Sequence, residues 1–204
     1  MTQNSNLLGV ILAGGLSKRM NKENKFFKTL NKKTLLEIII NKAVSQIPKL
    51  VINANINKSN FKKFKLEVIK DSVKGFQGPL AGILAGMEYG YKNNFKWLIT
   101  LPCDAPFFPT NLIDEFLKKI KKKKYKIVIA KSNNRIHPVF GIWSISLKDS
   151  LINAIKKDNI RKIDLFIKKE NYAIVNFKYN KIDPFFNIND SNDFKIATKY
   201  LRYI

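Results

Sequence analysis

Cysteine and histidine are almost missing from this chain, which has one of each, Cys103 and His137, among its 204 residues. A single cysteine cannot form an internal disulfide, and a metal site built from several histidines or cysteines is excluded. Any bound metal must therefore be held mainly by oxygen ligands. We expect Cys103 to be a small buried side chain and not a nucleophile.

Long apolar runs are lacking as well. Residues 1–6 are polar, and the run from Leu7 to Ala13 is too short to cross a bilayer and does not resemble a signal peptide. We therefore expect a cytoplasmic protein without a membrane partner. The length predicts one domain, residues 1–204, and the apolar fraction of 45% is ordinary for a globular protein.

Acidic residues are scarce, with 15 Asp and Glu against 38 Lys and Arg, so the formal net charge is +23. The lysines are scattered through every segment, which indicates a general composition bias and not a patch built for nucleic acid. The exception is the run at residues 118–124, which we expect to end a helix, where lysine suits the helix dipole. The overall charge favours an anionic substrate, and no nucleic-acid partner is expected.

Strand-like apolar runs alternate with amphipathic helical runs along the chain. Thr34 and Thr110 are predicted helix N-caps. Alternation of this kind predicts a three-layer α/β/α, Rossmann-like fold with a mostly parallel central sheet, whose ligands bind outside the carboxyl ends of the strands. The predicted strands cover residues 7–13, 50–54, 66–70, 97–101, 126–130, 138–145 and 172–177, and the predicted helices cover 35–47, 57–64, 80–91, 110–121, 147–156, 161–168 and 191–200.

Two glycines, Gly14 and Gly15, follow the first predicted strand directly. Glycine lets the backbone approach a ligand closely, and Arg19 and Lys25 add positive charge just behind the pair. The Walker pattern and the dinucleotide fingerprint G-x-G-x-x-G are both absent, so neither a standard P-loop nor a dinucleotide site is predicted. We predict a phosphate-binding loop, with an ordinary glycine turn as the alternative.

Polar residues also follow the next three predicted strands: Asn53 and Asn55 the second, Asp71 the third and Asp104 the fourth. Asp104 lies in a proline-stiffened loop, Leu-Pro-Cys-Asp-Ala-Pro-Phe-Phe-Pro. Mg²⁺ typically takes one or two carboxylates together with substrate phosphates. Asp104 is therefore a candidate Mg²⁺ ligand, with a turn-capping aspartate as the alternative.

Later segments offer further candidates. Gly78 precedes a helix whose N-terminus could face a nucleotide, while Gly82 and Gly86 share a helix face and could instead pack closely on the sheet. His137 has no serine or cysteine elbow beside it and is expected to be structural. Asn187 and Asn189 would point the same way from an extended segment, and Asp190 is a predicted cap of the last helix.

Together these segments resemble the molybdenum cofactor guanylyltransferase family, one of the nucleotidyltransferases with a Rossmann-like fold. The Asn-Ala-Asn, Gly-Pro-Leu-Ala-Gly and His-Pro-Val pieces favour this family over sugar-phosphate nucleotidyltransferases, which share the glycine loop. Residues 20–25 depart from the usual Met-Gly-Gly-x-Asp-Lys and read Met-Asn-Lys-Glu-Asn-Lys. The matching pieces run in family order over nearly the whole chain: residues 12–15, Arg19, Met20, Lys25, 51–55, Asp71, 78–82, 103–106, Pro109, 137–139 and 187–189.

The resemblance implies an enzyme that transfers GMP from GTP to molybdopterin-bound molybdenum cofactor, releases pyrophosphate and uses Mg²⁺. Asn187 and Asn189 match a segment near the pterin, and Asp104 matches a ligand of both GTP and Mg²⁺. The implied catalytic residues are Arg19, Lys25 and Asp104, and the implied or candidate nucleotide-binding residues are Leu12, Ala13, Gly14, Gly15, Lys25, Asn53, Asp71, Gly78 and Asp104. Molybdoenzyme apoproteins and other cofactor-synthesis proteins are expected partners besides the two substrates.

Three alternatives remain open from the sequence. The enzyme could use CTP on the same pterin, or it could act on a sugar phosphate. A protein of a different class, which binds nucleotide or nucleic acid without catalysis, is suggested by the altered loop at residues 20–25 and by the net charge of +23.

Overall fold

The computed structural model describes residues 6–14, 27–73, 75, 78–121, 124–179 and 181–200. Seven strands form its central sheet, and a short hairpin stands apart from it. The strands are β1 Leu7–Leu12, β2 Thr29–Leu30, β3 Lys33–Thr34, β4 Lys49–Asn53, β5 Glu67–Ile69, β6 Trp97–Pro102, β7 Ile127–Ser132, β8 Arg135–Ser144 and β9 Tyr172–Asn176.

The helices alternate with the strands as predicted. No helix in the described part of the chain combines the length and apolarity that crossing a membrane requires. The α-helices are α1 Leu35–Val44, α2 Pro79–Lys92, α3 Leu112–Ile120, α4 Lys148–Lys156, α5 Ile163–Ile167 and α6 Ser191–Tyr200, with 3₁₀ helices at Lys58–Phe64 and Ile145–Leu147.

The central sheet has the strand order β5-β4-β1-β6-β8-β7-β9. Strands β5, β4, β1 and β6 are parallel, β8 runs antiparallel to β6 and β7, and β9 is parallel to β7. The sheet is therefore parallel except for β8. This confirms the predicted α/β class with a mostly parallel sheet.

Helices cover both faces of the sheet. In β1, Leu7 and Ile11 face the core that contains α1 and α3, while Leu8 and Val10 face the core that contains α2, α4 and α5. Successive side chains of a strand point to opposite faces, so a strand buried on both sides is apolar throughout. The three-layer arrangement follows from this pattern.

The two hairpins were not predicted. Strands β2 and β3 are joined by Asn31 and Lys32, and β7 and β8 by Asn133 and Asn134; all four residues have positive φ. Positive φ at both central residues matches the twist of a two-residue hairpin, and asparagine tolerates it. Strands β7 and β8 therefore extend to Ser132 and Arg135, beyond their predicted ends.

Helix α1 begins with a capping box. The Thr34 side chain accepts a hydrogen bond from the Glu37 backbone N–H, while the Glu37 carboxylate accepts one from the Thr34 N–H at 2.6 Å. The Thr34 N–H, helped by Lys63, lowers the pKa of Glu37 to about 2. The predicted Thr34 cap is confirmed. The predicted Thr110 cap is wrong, because the residue before α3 is Asn111 and the helix has no side-chain cap.

Replacing Thr34 by alanine is expected to lower the free energy of unfolding by about 1 kcal/mol, because it removes one half of the capping box. Thr110→Ala is the matched control and should change stability by less than about 0.5 kcal/mol. Urea unfolding of the two variants measures the difference. Equal effects would contradict the assigned cap.

Candidate active site

The carboxyl ends of β4, β1 and β6 lie side by side. Leu12 is opposite Asn53 of β4 and Pro102 of β6. The ladder continues past the strands, since the Ala13 N–H donates to the Asn53 carbonyl at 2.8 Å and the Cys103 N–H to the Leu12 carbonyl at 3.3 Å. The segments that carry Gly14, Asn53 and Asp104 therefore leave the sheet at one edge, called here the carboxyl edge.

Two asparagines hold Asp71 at this edge. The Asn53 side-chain amide donates to Oδ1 of Asp71 at 2.8 Å, and the Asn55 amide donates to Oδ2 at 2.7 Å. The Asp71 backbone N–H donates in return to Oδ1 of Asn55 at 3.1 Å. Asn53 is only 2% exposed, so its amide is fixed by burial as well as by bonding. These three residues form what we call the Asn–Asp clamp.

Gly14 lies directly against the clamp. A Cβ at this position would be 3.3 Å from Oδ1 of Asn53 and 3.5 Å from Nδ2 of Asn55, which is ordinary to tight contact. The backbone of the predicted phosphate loop thus begins over the clamp. Gly15, Arg19 and Lys25 lie outside the described residues, and their roles remain predictions from the sequence.

The N-terminus of α2 points at the same edge. Gly78 precedes the helix and Pro79 is its first residue. Proline is tolerated there because a backbone N–H at the first position has no partner within the helix. One turn on, Gly82 packs against Asn53, and a Cβ there would lie 2.4 Å from its Oδ1. Gly86 packs on Leu98 and Val10. The expected close packing is confirmed, and the positive end of the α2 dipole lies beside the clamp.

The loop after β6 carries Asp104 and is held from behind by α1. The Lys42 ammonium donates to the carbonyls of Pro106, at 3.3 Å, and Phe108, at 3.1 Å, and lies 5.3 Å from the centre of the Phe108 ring. Burial lowers the pKa of Lys42. Cys103 is buried, as predicted. Because Lys42 bonds to both carbonyls, it fixes the backbone on either side of Phe107 and so helps to set the position of Asp104.

The donor set at the edge fits a hard divalent cation. Among the described residues, no group of three or more His, Cys, Asp or Glu side chains could enclose a metal. A cation here would depend on one carboxylate, Asp104, and would complete its shell with substrate phosphates and water, which is the habit of Mg²⁺.

The segment at residues 187–189 runs beside Asp104. The Ile188 backbone N–H donates to the Asp104 carbonyl at 2.8 Å. Ile188 is buried, whereas Asn187 and Asn189 on either side are exposed, which is the alternation predicted for two side chains that share a face. The predicted Asp190 cap is confirmed, because its Oδ1 accepts the N–H groups of Asn192 and Asp193.

A cavity of about 430 Å³ adjoins this segment at the start of α6. Aromatic rings and polar groups share its lining, which comes from Phe27, Lys28, Thr29, Ser191 and Phe194. The cavity therefore offers both apolar contact and the cationic side chain of Lys28.

His137 belongs to a buried polar network at the neighbouring ends of β7 and β8. Its Nε2 lies 2.7 Å from Oγ of Ser132, and that hydroxyl donates to Oδ1 of Asp183 at 2.7 Å. Because the serine proton is directed to the carboxylate, His137 Nε2 must carry the proton that joins it to Oγ. A serine nucleophile needs the opposite arrangement, in which histidine accepts the serine proton. The predicted structural role of His137 fits this geometry.

Burial lowers the pKa of His137 from its ordinary value near 6.5; Asp183 opposes this effect and Arg135 adds to it. The unfolded chain therefore binds a proton at a higher pH than the folded chain does. We expect the free energy of unfolding to fall as the pH drops below about 6.5, and His137→Gln should remove part of that dependence. Urea unfolding between pH 5 and pH 8 measures it. Identical pH profiles would contradict the assignment.

Asn55 was noted from the sequence as a polar residue at the end of the second predicted strand, and the structure adds its bond to Asp71. Two sets of contacts at this end of the sheet were not predicted. The loop contacts of Lys42 and the Ser132–Asp183 bond had no signal, since each depends on parts of the chain that are distant in sequence.

The fold and its carboxyl edge are those of a nucleotidyltransferase, and residues 9–170 match the family model described as MobA-like NTP transferase domain. A molybdenum cofactor guanylyltransferase of Nitrobacter hamburgensis is 36% identical over 94% of this chain and 92% of its own length, and one of Haemophilus influenzae is 37% identical over 91% and 94%. The chain belongs to the molybdenum cofactor guanylyltransferase family.

A solved structure agrees with this relationship. Molybdopterin-guanine dinucleotide biosynthesis protein A from Archaeoglobus fulgidus superposes with a TM-score of 0.75 at 25% identity, covering 97% of this chain and all of the other. The family, the enzyme class and the guanylyl transfer predicted from the sequence are confirmed.

Proposed function

We propose that the chain, as one nucleotidyltransferase domain of residues 1–204, transfers GMP from GTP to molybdopterin-bound molybdenum cofactor at the carboxyl edge, with Mg²⁺ as its metal. One observation carries this assignment of the site: the bond from the Ile188 N–H to the Asp104 carbonyl joins the nucleotide side of the edge to the segment of Asn187 and Asn189. A group-transfer enzyme needs both substrates within reach of one another, and this bond holds the two candidate half-sites together.

GTP is assigned to the side formed by Gly14, the Asn–Asp clamp and the N-terminus of α2. The backbone N–H groups of a glycine loop and of a helix N-terminus suit phosphate oxygens. Asp71, held through both carboxylate oxygens, offers an acceptor of fixed orientation to the donor groups of a base or ribose. Arg19 and Lys25 are the cations proposed to neutralise the triphosphate.

Asp104 is the residue proposed to hold Mg²⁺. When bound, Mg²⁺ supplies neutralisation of charge on the phosphates and on the departing pyrophosphate. Asp104 contributes the fixed carboxylate, and Lys42 and Ile188 hold the backbone around it. The protein's contribution is thus a rigid site on a stiff loop and not a cage of several ligands.

The acceptor is assigned to the side of Asn187 and Asn189, where exposed amides can bond to a pterin and the neighbouring cavity offers Lys28. The attacking group is a terminal phosphate oxygen, already largely ionised at neutral pH, because the second pKa of a phosphate monoester is about 6. No side chain has to remove a proton. Positioning and charge neutralisation are sufficient for the in-line displacement.

A pyrophosphate-release assay tests this function. The protein is incubated with Mg²⁺, molybdopterin-bound cofactor and either GTP or CTP, and release is compared with reactions that lack the acceptor. We expect acceptor-dependent release with GTP that exceeds release with CTP. A preference for CTP would replace the guanylyl donor by a cytidylyl donor, and binding of RNA without any pyrophosphate release would overturn the enzymatic function.

A further inference from the structure

The Ser132–His137–Asp183 network lies at the same carboxyl edge of the sheet as the candidate site. Ser132 ends β7 and is fully buried, and His137, near the start of β8, is buried beside it. A polar group buried without a partner is costly, so a hydroxyl that satisfies both a histidine and a carboxylate is a fixed point in the core.

Asp183 also fixes the backbone of the residues that follow it. Its Oδ1 accepts the Phe185 N–H at 2.9 Å as well as the Ser132 hydroxyl, and its carbonyl accepts the Phe186 N–H at 3.0 Å. The turn so formed inserts Phe185 into the core, 4.8 Å from the His137 ring. The network therefore determines the position of the turn at Asp183 and the direction of the chain after it.

The acceptor segment, residues 187–189, to which the acceptor substrate is assigned, follows closely after this turn. From Phe185 the chain runs to Asn187, Ile188 and Asn189, and the Ile188 N–H closes on the Asp104 carbonyl. The segment is thus held at one end by Asp183 and at the other by the loop that carries Asp104. A shift of the Asp183 turn would displace the two asparagines while leaving Gly14, Asn53 and Asp71 in place.

We infer that Ser132, His137 and Asp183 are positioning residues for the acceptor substrate, acting through the place they give to Asn187 and Asn189. This inference rests on the proposed function, which assigns the acceptor to that segment. It predicts a split between the two substrates: the KM for the molybdopterin acceptor depends on the network, and the KM for GTP does not.

The test measures both KM values in Ser132→Ala and Asp183→Ala proteins. We expect the acceptor KM to rise about 10-fold, which corresponds to the loss of one positioned hydrogen bond, with the GTP KM within about 2-fold of wild type. Asp183→Asn retains an acceptor oxygen for Ser132 and Phe185 and should restore the wild-type acceptor KM. Ser144→Ala, at the far end of β8, is the matched control and should change neither value.

Two further variants keep the outcome decisive. If Ser132→Ala does not fold, Ser132→Cys keeps the shape of the side chain with a slightly larger atom while weakening both hydrogen bonds, and the same KM split is required of it. Asn187→Ala tests the assigned acceptor segment itself. Parallel rises in both KM values, or an unchanged acceptor KM in folded Ser132 variants, would overturn the inference. Failure of the proposed function is recognised separately, by a wild-type protein that shows no acceptor-dependent pyrophosphate release.

Discussion

Asp104→Asn is expected to reduce guanylyl transfer by about 10²- to 10³-fold while leaving the fold intact. The change removes the negative charge that a divalent cation requires but keeps the shape of the side chain. The loop should remain in place, because its position depends on Lys42 and Ile188, which bond to backbone carbonyls and not to the Asp104 side chain. The free energy of unfolding should therefore stay within about 1 kcal/mol of wild type.

The measurement is the initial rate of pyrophosphate release at saturating GTP over a range of Mg²⁺ concentrations, together with urea unfolding of the same protein. Asp114→Asn is the matched control, since it makes the same chemical change at an exposed position of α3. It should leave the rate unchanged. Full turnover in folded Asp104→Asn protein would exclude Asp104 as the metal ligand.

Gly82→Ala is expected to raise the KM for GTP at least 10-fold and to lower the free energy of unfolding by about 1–3 kcal/mol, in the range of an overpacked core. The added methyl group would lie 2.4 Å from Oδ1 of Asn53 and 2.8 Å from Cδ2 of Leu12. Asn53 is buried and bonded to Asp71, so it cannot turn away without releasing the clamp. The alternative, a shift of α2 away from the sheet, moves its N-terminus.

Gly90→Ala provides the matched control on the same helix. Its methyl group also meets an atom at 2.4 Å, but that atom is Cδ1, the flexible end of Ile145, far from the edge. Both variants share any helix-propensity gain of alanine over glycine, about 1 kcal/mol. Initial rates over a range of GTP concentrations, together with urea unfolding, should separate the two variants. An unchanged GTP KM in Gly82→Ala would show that the clamp does not support the nucleotide.

The fold was largely predictable because its information is local. An apolar run such as Leu7–Leu12 and a capping box such as Thr34 with Glu37 are complete within a few residues. The tight turn at Asn133 and Asn134 was missed because asparagine at positive φ is less distinctive than glycine. The capping propensity of threonine predicts a cap at Thr110, but α3 begins after Asn111 and has no side-chain cap.

The candidate site was predictable only in part. The predicted strand ends identify Gly14, Asn53, Asp71 and Asp104 as candidate site residues, because parallel strands bring their carboxyl ends to one edge. What lies behind them depends on tertiary packing. That Lys42 would bond to carbonyls more than sixty residues away, or Ser132 to Asp183, is decided by how layers and loops meet and leaves no pattern in the sequence.

Because β8 runs antiparallel to its neighbours, residues at the carboxyl edge are brought together in two different ways: by closing a hairpin, or by pairing parallel strands. Ser132 and His137 are five residues apart and meet when a two-residue hairpin closes, an event of microseconds. Asn53 and Asp71 are 18 residues apart, and they meet only when β4 and β5 pair in parallel, with a crossover between them and a larger loss of chain entropy. The hairpin therefore brings Ser132 and His137 together early, but the acceptor side is completed only when Asp183, 51 residues from Ser132, bonds to that serine. The nucleotide side is completed only as the parallel sheet is assembled.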